Sequence, residues 1–314
     1  MKTSANFFLF FALAFFGLGL SSAFSQTDPK PFQTKEFSVT SAPVLEADLS
    51  GAAISVKGGA GNQVTVRCFL KKDGKYLSQS DSEAQEFLEK YDISISQKGN
   101  SISILAKQKS SGNWNWRDRP SLSFEILAPQ SLNSDVRTSG GSVSIHGIQG
   151  QHQIASSGGS IAVKNSGGSL VSTSSGGRIN LENFEGNVEV QTSGGSVKVD
   201  RIAGDLVAKS SGGGMTLTGV SGRIDAQTSG GSIRASLNAI QKDMVFQSSG
   251  GSIQVSVPSD AKFNLELKGG SISSQLANFQ GTTAKNLISG KVNGGGPTVQ
   301  MQTSGGSIRI GNEN

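Results

Sequence analysis

The sequence predicts an all-β protein, a parallel β-solenoid with about 18 residues and two nonapeptides in each coil, preceded by a small β-rich capping region with one short helix. Three observations predict this fold. Glycine recurs every nine residues through the middle of the chain, apolar residues alternate with polar ones after each glycine, and two kinds of nonapeptide alternate. Glycine accounts for 42 of 314 residues and aromatic residues for only 6%. That composition suits a thin stack with a narrow aliphatic core.

The nonapeptides define one turn and one strand each. From Ser139 to Leu237 the chain divides into eleven consecutive nonapeptides whose third residue is always glycine. The fifth and usually the seventh residues are apolar, as in Val143 and Ile145, which predicts a strand with one buried face. The glycine, including Gly195, predicts a bend with a positive φ that a side chain resists. A helix is excluded, because regular glycine and period-two apolar residues both oppose it.

The alternation of two nonapeptides sets the register. The first position is serine in every second repeat, as at Ser139 and Ser157, and is mostly apolar in the repeats between. Residue i should therefore stack on residue i+18, with coils about 4.8 Å apart. This register predicts an apolar ladder and a polar corner ladder, which are Ile161, Ile179, Val197, Met215, Ile233 and Thr192, Ser210, Thr228, Ser248. Later copies at 249–257, 268–276, 293–302 and 304–312 should continue the stack in chain order to the C-terminus.

Residues 1–25 have the features of a signal peptide. Lys2 precedes an apolar run at 7–20 that is short for a bilayer span, and Ala23 and Ser25 suit cleavage after Ser25. An uncleaved membrane anchor is the alternative. After cleavage we expect no membrane span, and a location in the periplasm, on the cell surface or in the medium.

The single cysteine, Cys68, cannot form an internal disulfide, and we expect a buried thiol.

Residues 26–138 lack the strict repeat and are predicted to cap the solenoid of residues 139–314. A helix at about 81–91 should begin with a capping box formed by Ser80 and Glu83. Its apolar face is predicted to hold Ala84, Phe87, Leu88 and Tyr91.

Strands account for most of the rest of this region. Residues 91–107 predict a hairpin that turns at Gly99 and Asn100, and residues 121–129 predict a strand that feeds the stack. Residues 49–56 look like a degenerate copy of the repeat. Because a solenoid end exposes strand edges and apolar ladders, some element must cover it.

The repeats TSGGSVSI, SSGGSIAV, TSGGSVKV, TSGGSIRA and SSGGSIQV, with their 18-residue spacing, resemble the putative-adhesin family of bacterial exported β-strand-repeat proteins, a domain-of-unknown-function group. The order of strand, helix, hairpin and ILAP strand before them fits the same family. The resemblance covers residues 36–312. It implies a β-solenoid with a surface or adhesive role, and it supplies no catalytic residues.

The residues that could support catalysis or metal binding do not form the patterns that these functions need. Calcium-binding nonapeptides need an aspartate in each unit, whereas Asp200, Asp205 and Asp225 share no repeat position. His146 and His152 are expected as exposed corner residues with no metal partner nearby. Carboxylates also occur in pairs, as in a glycosidase, but on a solvated face this is ordinary; the residues are Glu182, Glu185 and Glu189. We therefore predict no catalytic residue, metal or cofactor.

The segment GNWNWRDRP at 112–120 is the one unusual surface candidate. If it is extended, Trp114 and Trp116 share a face beside Arg117 and Arg119, and two coplanar indoles can stack on sugar rings. The alternative is that these rings pack on the first coil or the helix. The four residues are the candidate ligand contacts.

The predicted function is that of an exported, non-enzymatic adhesin or binding module that presents ladders of Ser, Thr, Gln and Asn to a polysaccharide or a cell-surface protein. A structural envelope protein or spacer that self-associates through its solenoid end is the alternative. The net charge of +5 arises from singly scattered charges, so neither nucleic acid nor an anionic membrane is indicated as a partner.

Overall fold

The computed structural model describes residues 29–109 and 120–312, so the signal peptide predicted at 1–25 lies outside the described residues. The elements up to the first regular repeat are β1 (Gln33–Ser38), β2 (Val44–Leu49), β3 (Ala53–Gly59), β4 (Gln63–Lys72), β5 (Lys75–Tyr76), α1 (Ser82–Lys90), β6 (Tyr91–Lys98), β7 (Ser101–Gln108), β8 (Ser121–Pro129) and β9 (Asn133–Thr138). The strands of the regular repeat are β10 (Val143–His146), β11 (Gln149–Ser156), β12 (Ile161–Ser174), β13 (Ile179–Thr192), β14 (Val197–Ala203), β15 (Leu206–Ser210), β16 (Met215–Val220), β17 (Ile224–Thr228), β18 (Ile233–Ser236), β19 (Met244–Ser248) and β20 (Ile253–Val257). The last strands are β21 (Phe263–Lys268), β22 (Ser271–Gln275), β23 (Phe279–Ala284), β24 (Leu287–Val292), β25 (Thr298–Thr303) and β26 (Ser307–Asn312).

The strands stack in two parallel columns, as the repeat predicts. The first column follows the Ser-Gly-Gly corners and runs in stacking order β8, β3, β10, the first halves of β12 and β13, β14, β16, β18, β20, β26, β22. The second column runs β7, β2, β9, β11, the second halves of β12 and β13, β15, β17, β19, β25, β21. One coil contributes one strand to each column.

The buried apolar ladder predicted from the 18-residue register is confirmed. Ile161 lies opposite Ile179, Ile179 opposite Val197, and the series continues through Met215 to Ile233. None of these side chains is more than 2% exposed. Each such burial contributes about 1.5–3 kcal/mol of transfer free energy. The core is therefore a column of apolar side chains, each of which adds a small stabilising free energy on its own rung.

The second layer of the stack, formed by β2 and β3, is out of chain order. Strand β2 lies between β7 and β9, and β3 lies between β8 and β10, with Ile54 directly opposite Val143. The degenerate repeat predicted at 49–56 is therefore a true coil. Beyond it lies the outermost parallel layer, β7 and β8, whose far edges make antiparallel pairings, β8 with β4 and β7 with β6, while β4 pairs in turn with β1.

The prediction that the last repeats stack in chain order is wrong. Strand β25 lies between β19 and β21, and β26 lies between β20 and β22, so residues 298–312 form an inner coil. The reason is the corner chemistry: Thr303 Oγ1 donates to the carbonyl of Gly251 at 2.8 Å and accepts from the amide of Gly306 at 3.2 Å. In the corner after β21, Lys268 lies opposite Gln302, and the next residue, Gly269, stands beside Thr303 and has no hydroxyl to make these bonds. Strands β24 and β23 then cover β21 with antiparallel pairings.

The helix forms where the sequence predicts it, but its predicted capping box is wrong. The N-cap is Asp81, whose side chain accepts from the amide of Ser78 at 2.7 Å instead of capping the helix. Glu83 pairs with Lys72 at 2.6 Å. The apolar face is buried as predicted through Ala84, Phe87 and Tyr91, with Leu88 partly buried.

The tyrosine after the helix joins it to the stack. The rings of Phe87 and Tyr91 are stacked with centroids 4.7 Å apart, and the Tyr91 hydroxyl donates to the carbonyl of Ser50. Tyr91 also begins the predicted hairpin, in which β6 and β7 pair antiparallel around Gly99 and Asn100. The helix is thus held against the corner between β2 and β3.

The glycines of the Ser-Gly-Gly corners are required for a reason other than the predicted one. Gly195 does not have a positive φ. A Cβ at Gly195 would lie 2.0 Å from the carbonyl oxygen of Gly177 in the coil below. The positive φ predicted for these corners occurs on the opposite side of the coil, where Asn165, Asn183 and Arg201 have φ of 48°, 52° and 60°. Close stacking of backbones therefore excludes a side chain at the second glycine of the Ser-Gly-Gly corner.

Candidate binding surface

The polar corner ladder predicted from the register is confirmed, and it is buried. Thr192 lies opposite Ser210, Ser210 opposite Thr228, and Thr228 opposite Ser248. Each hydroxyl bridges two coils. Thr228 Oγ1, for example, donates to the carbonyl of Gly213 below at 3.0 Å and accepts from the amide of Gly231 in its own coil at 3.3 Å. These hydroxyls satisfy the corner backbone groups, which would otherwise be buried without partners.

We expect Thr228→Val to lower the free energy of unfolding by about 1–3 kcal/mol, because it keeps the shape but leaves the Gly213 carbonyl and Gly231 amide without the hydroxyl. The matched control is Thr216→Val on an exposed strand position, expected to change stability by less than about 0.5 kcal/mol. Urea unfolding of both variants measures the difference. Equal stability of the two would contradict the structural role given to the hydroxyl.

An exposed serine follows each buried hydroxyl. These serines are the first residues of the Ser-Gly-Gly corners, and they are Ser139, Ser157, Ser175, Ser193, Ser211, Ser229, Ser249 and Ser304. The backbone keeps them in step: the amide of Gly194 donates to the carbonyl of Ser175 at 2.9 Å, and the amide of Gly212 donates to that of Ser193 at 2.8 Å. The result is a row of exposed hydroxyls at the rung spacing of about 4.8 Å.

A second outward row, mostly of glutamines, runs beside the serines. It stacks rung on rung as Gln191, Lys209, Gln227, Gln247 and Gln302. Between the two rows lies a shallow depression that we call the corner groove. Its lower cavity, of about 550 Å³, is lined by residues from Asp48 to Ser193, and its upper cavity, of about 280 Å³, by residues from Lys209 to Ser304. Because Gln191 lies opposite Lys209, the upper cavity begins one rung above the lower one.

The corner groove is suited to hydrogen bonding. Hydroxyls and side-chain amides both donate and accept, so they can match the hydroxyls of a sugar polymer. The ionised residues of the lower cavity are occupied elsewhere, Asp48 with Lys107 at 2.7 Å and Arg137 with Asp135 at 2.8 Å. The groove therefore offers a repeated surface of neutral hydrogen-bonding groups, with Lys209 as a cation in the upper cavity.

The three glutamates considered for glycosidase chemistry occupy different outward rows. Glu182 stacks between Lys164 and Asp200 in the first column, and Glu189 stacks between two valines in the second. Glu185 stacks between Gly167 and Ala203. A hydrogen bond from Lys164 lowers the pKa of Glu182, which keeps it ionised and opposes a role as a general acid.

The two histidines differ in their surroundings, and only one matches the prediction. His146 is exposed. His152 was expected at an exposed corner, but it is 2% exposed and lies in the second column between Ser134 and Leu170. Its Nδ1 lies 2.9 Å from Ser134 Oγ, and its Nε2 has no hydrogen-bond partner. Burial lowers the pKa of His152 to about 4, so the ring is neutral near pH 7.

The remaining residues that the sequence singles out are the cysteine of β4 and the tryptophan segment at 112–120. Cys68 is buried in β4 as predicted, and burial raises its pKa to about 12. Trp114, Trp116, Arg117 and Arg119 lie outside the described residues, and their role stays a prediction. Within residues 29–109 and 120–312, no group of three or more His, Cys, Asp or Glu side chains is arranged to hold a metal ion.

The chain can be compared with known proteins by its two-column stack, its glycine corners and the hairpin that precedes them. The family model Toastrack DUF4097 matches residues 77–311. The chain belongs to the Toastrack DUF4097 family. This match confirms the family resemblance drawn from the repeats and the β-solenoid predicted for the chain. No curated protein matches this Toastrack chain.

Solved structures similar to this Toastrack chain include three bacterial proteins, each 12% identical to it over 90% of its length. One is a putative adhesin from Bacteroides fragilis NCTC 9343, covered over 96% of its length with a TM-score of 0.41. The second is a putative cell adhesion protein from Clostridium sporogenes ATCC 15579, covered over 100% with a TM-score of 0.19. The third is a putative adhesin from Parabacteroides distasonis ATCC 8503, covered over 98% with a TM-score of 0.28. In the described part of the Toastrack chain, every helix is too short or too polar to cross a bilayer.

Proposed function

We propose that this Toastrack protein is an exported, non-enzymatic binding module that holds a polysaccharide along its corner groove. The observation that carries the proposal is the groove itself, in which exposed serines and partly exposed glutamines repeat from one rung to the next. A single hydroxyl or amide contributes little to affinity in water. A rigid row of them can engage successive sugars of one polymer, and multivalency then raises the overall affinity.

The proposal is tested by removing the amide row. Residues 26–314 are applied to a glycan array, and the glycans that bind are titrated against the triple variant Gln227→Ala, Gln247→Ala and Gln302→Ala. We expect about tenfold weaker binding, because one wall of the upper cavity loses its donors and acceptors. The matched control replaces three exposed glutamines outside the groove, Gln151, Gln153 and Gln280.

The outcomes of this titration separate two sites. Equal affinities of the two triple variants would remove the corner groove from consideration. The pair Trp114→Ala and Trp116→Ala is measured in the same titration. Loss of binding there would assign a ligand contact to these indoles beside Arg117 and Arg119, and unchanged binding would remove that site.

A structural role in the cell envelope is the second candidate, and one strand edge favours it. Within the described residues β22 pairs on one edge only, with β26, so its other edge is available to a strand of another molecule. A bare solenoid end would favour self-association, but β23 and β24 cover the second column there. Concentration-dependent oligomers in light scattering, together with no bound glycan, would favour this spacer role over the binding module.

The compartment is part of the proposal. The apolar run at 7–20 and the small residues before Gln26 support export to the periplasm, the cell surface or the medium. Cell fractionation combined with protease treatment of intact cells distinguishes these locations. Recovery of the protein from the cytoplasm with residues 1–25 still attached would overturn the export.

A further inference from the structure

Basic residues that are scattered in the sequence line up on one face of the stack. The outward row of the first column contains Lys198, Thr216, Arg234, Gln254 and Arg309, each directly opposite the next. All five are exposed. We call this row the basic ladder. A cationic side chain occupies every second rung, so the positive charges are roughly 9–10 Å apart along the stack.

The charges of the basic ladder are only weakly compensated by the protein: after the larger contribution of Lys164, Lys198 helps to lower the pKa of Glu182. None of its three cationic side chains forms an ion pair with a residue in the described ranges. The acids in the neighbouring outward row have other partners. Glu182 is bonded to Lys164 at 2.8 Å, and Asp200 is bonded to Arg201 at 2.6 Å. The row therefore presents a line of cations to solvent.

The surroundings of the basic ladder are polar. A row of serines runs beside it and is tied together by hydrogen bonds: the amide of Ser252 donates to Ser232 Oγ at 3.3 Å, and the amide of Ser307 donates to Ser252 Oγ at 3.2 Å. The large apolar side chains that are exposed in the described residues lie on other strands; they are Tyr76, Leu127, Val171 and Leu287. Protein interfaces depend on buried apolar or aromatic anchors, and this face offers none.

We propose that the basic ladder binds a linear acidic polysaccharide that lies along the stack and carries carboxylate or sulfate groups. The inference rests on the proposed function, that this protein binds polysaccharide, and adds a second face and the charge of the ligand. Cations meet the acidic groups, while Thr216, Gln254 and the serine row can bond the intervening hydroxyls. Double-stranded DNA carries one charge per ~1.7 Å, far denser than one cation per two rungs, so a sparsely charged polymer fits better.

The experiment compares two triple variants of residues 26–314 that lose the same charge. The first is Lys198→Gln, Arg234→Gln and Arg309→Gln. The second replaces three exposed lysines elsewhere, Lys75, Lys98 and Lys262, with glutamine. Both are titrated with polygalacturonate and with neutral pullulan. We expect the first variant to bind polygalacturonate about tenfold more weakly than the unmodified protein, and the second to bind as the unmodified protein does.

Each other outcome overturns the inference in a recognisable way. Equal weakening in both variants would mean that net charge alone attracts the polymer. If pullulan binds as tightly as polygalacturonate, the ligand is not required to be acidic, and the proposed function still stands. If neither polymer binds and no arrayed glycan binds, both the inference and the proposed function are contradicted. Tighter binding of a DNA duplex, lost in the first variant only, would assign the ladder to nucleic acid instead.

Discussion

Replacement of Gly195 by valine is expected to unfold or aggregate the protein, with a loss above about 5 kcal/mol. Even the first added carbon of the side chain would lie 2.0 Å from the carbonyl oxygen of Gly177 and 2.5 Å from its carbonyl carbon. Both are backbone atoms of the coil below, so no side-chain rotation can relieve the overlap. The two coils would have to separate, which breaks the rung hydrogen bonds on each side.

The adjacent glycine provides the control for this prediction. A Cβ at Gly194 would meet nothing nearer than the carbonyl oxygen of Ser175 at 3.7 Å. We therefore compare thermal unfolding of Gly195→Ala with that of Gly194→Ala, which removes any effect of valine itself. Gly194→Ala should melt close to the unmodified protein, while Gly195→Ala should be strongly destabilised. Similar melting temperatures would mean that the corner backbones are not as close as described.

The second large effect is an acid-dependent loss of stability caused by His152. Burial lowers the pKa of this residue in the folded protein to about 4, whereas the unfolded chain titrates near 6.5. As the pH falls below 6.5 the unfolded state takes up the proton first, so the free energy of unfolding decreases until the pH reaches about 4. At 1.36 kcal/mol for each pH unit, the loss at pH 4.5 is about 2–3 kcal/mol.

His152→Leu should remove this loss. Leucine suits the position, because the next residue of the same ladder is Leu170. Urea unfolding at pH 7 and pH 4.5 gives the change in stability for each protein, and the exposed His146→Leu is the matched control. The His146 variant should keep the full pH dependence. If His152→Leu loses as much stability on acidification as the control does, the buried histidine is not the cause.

The regular part of the fold could be predicted because its information is local and repeated. The ladder from Ile161 to Ile233 and the corner hydroxyls from Thr192 to Ser248 both follow from the 18-residue register alone. The residue type of His152 predicts exposure, whereas its position predicts burial. It is the fifth residue of its nonapeptide and shares a ladder with Leu170. In a strict repeat, position determines burial more strongly than polarity does.

Two other features could not be predicted, because they depend on which distant segments meet. The inner position of β25 and β26 depends on competition between two corner sequences, in which Thr303 can bridge coils and Gly269 cannot. The basic ladder depends on the two-residue insertion before Met244 and on the inner position of β25 and β26. Together these bring Arg234 and Arg309 into one row. Counting charges along the sequence gives only isolated cations.

The out-of-order coils have a consequence for how the chain acquires its structure. Strand β3 cannot be enclosed on both edges until β8 and β10 exist, and β21 cannot meet its second-column neighbour until β25 has been made. Such pairings close long loops and raise the contact order, which slows folding. The two irregular layers bring together segments that are farther apart along the chain than the 18 residues that separate neighbouring regular coils, as between Val143 and Ile54 or Arg309 and Gln254.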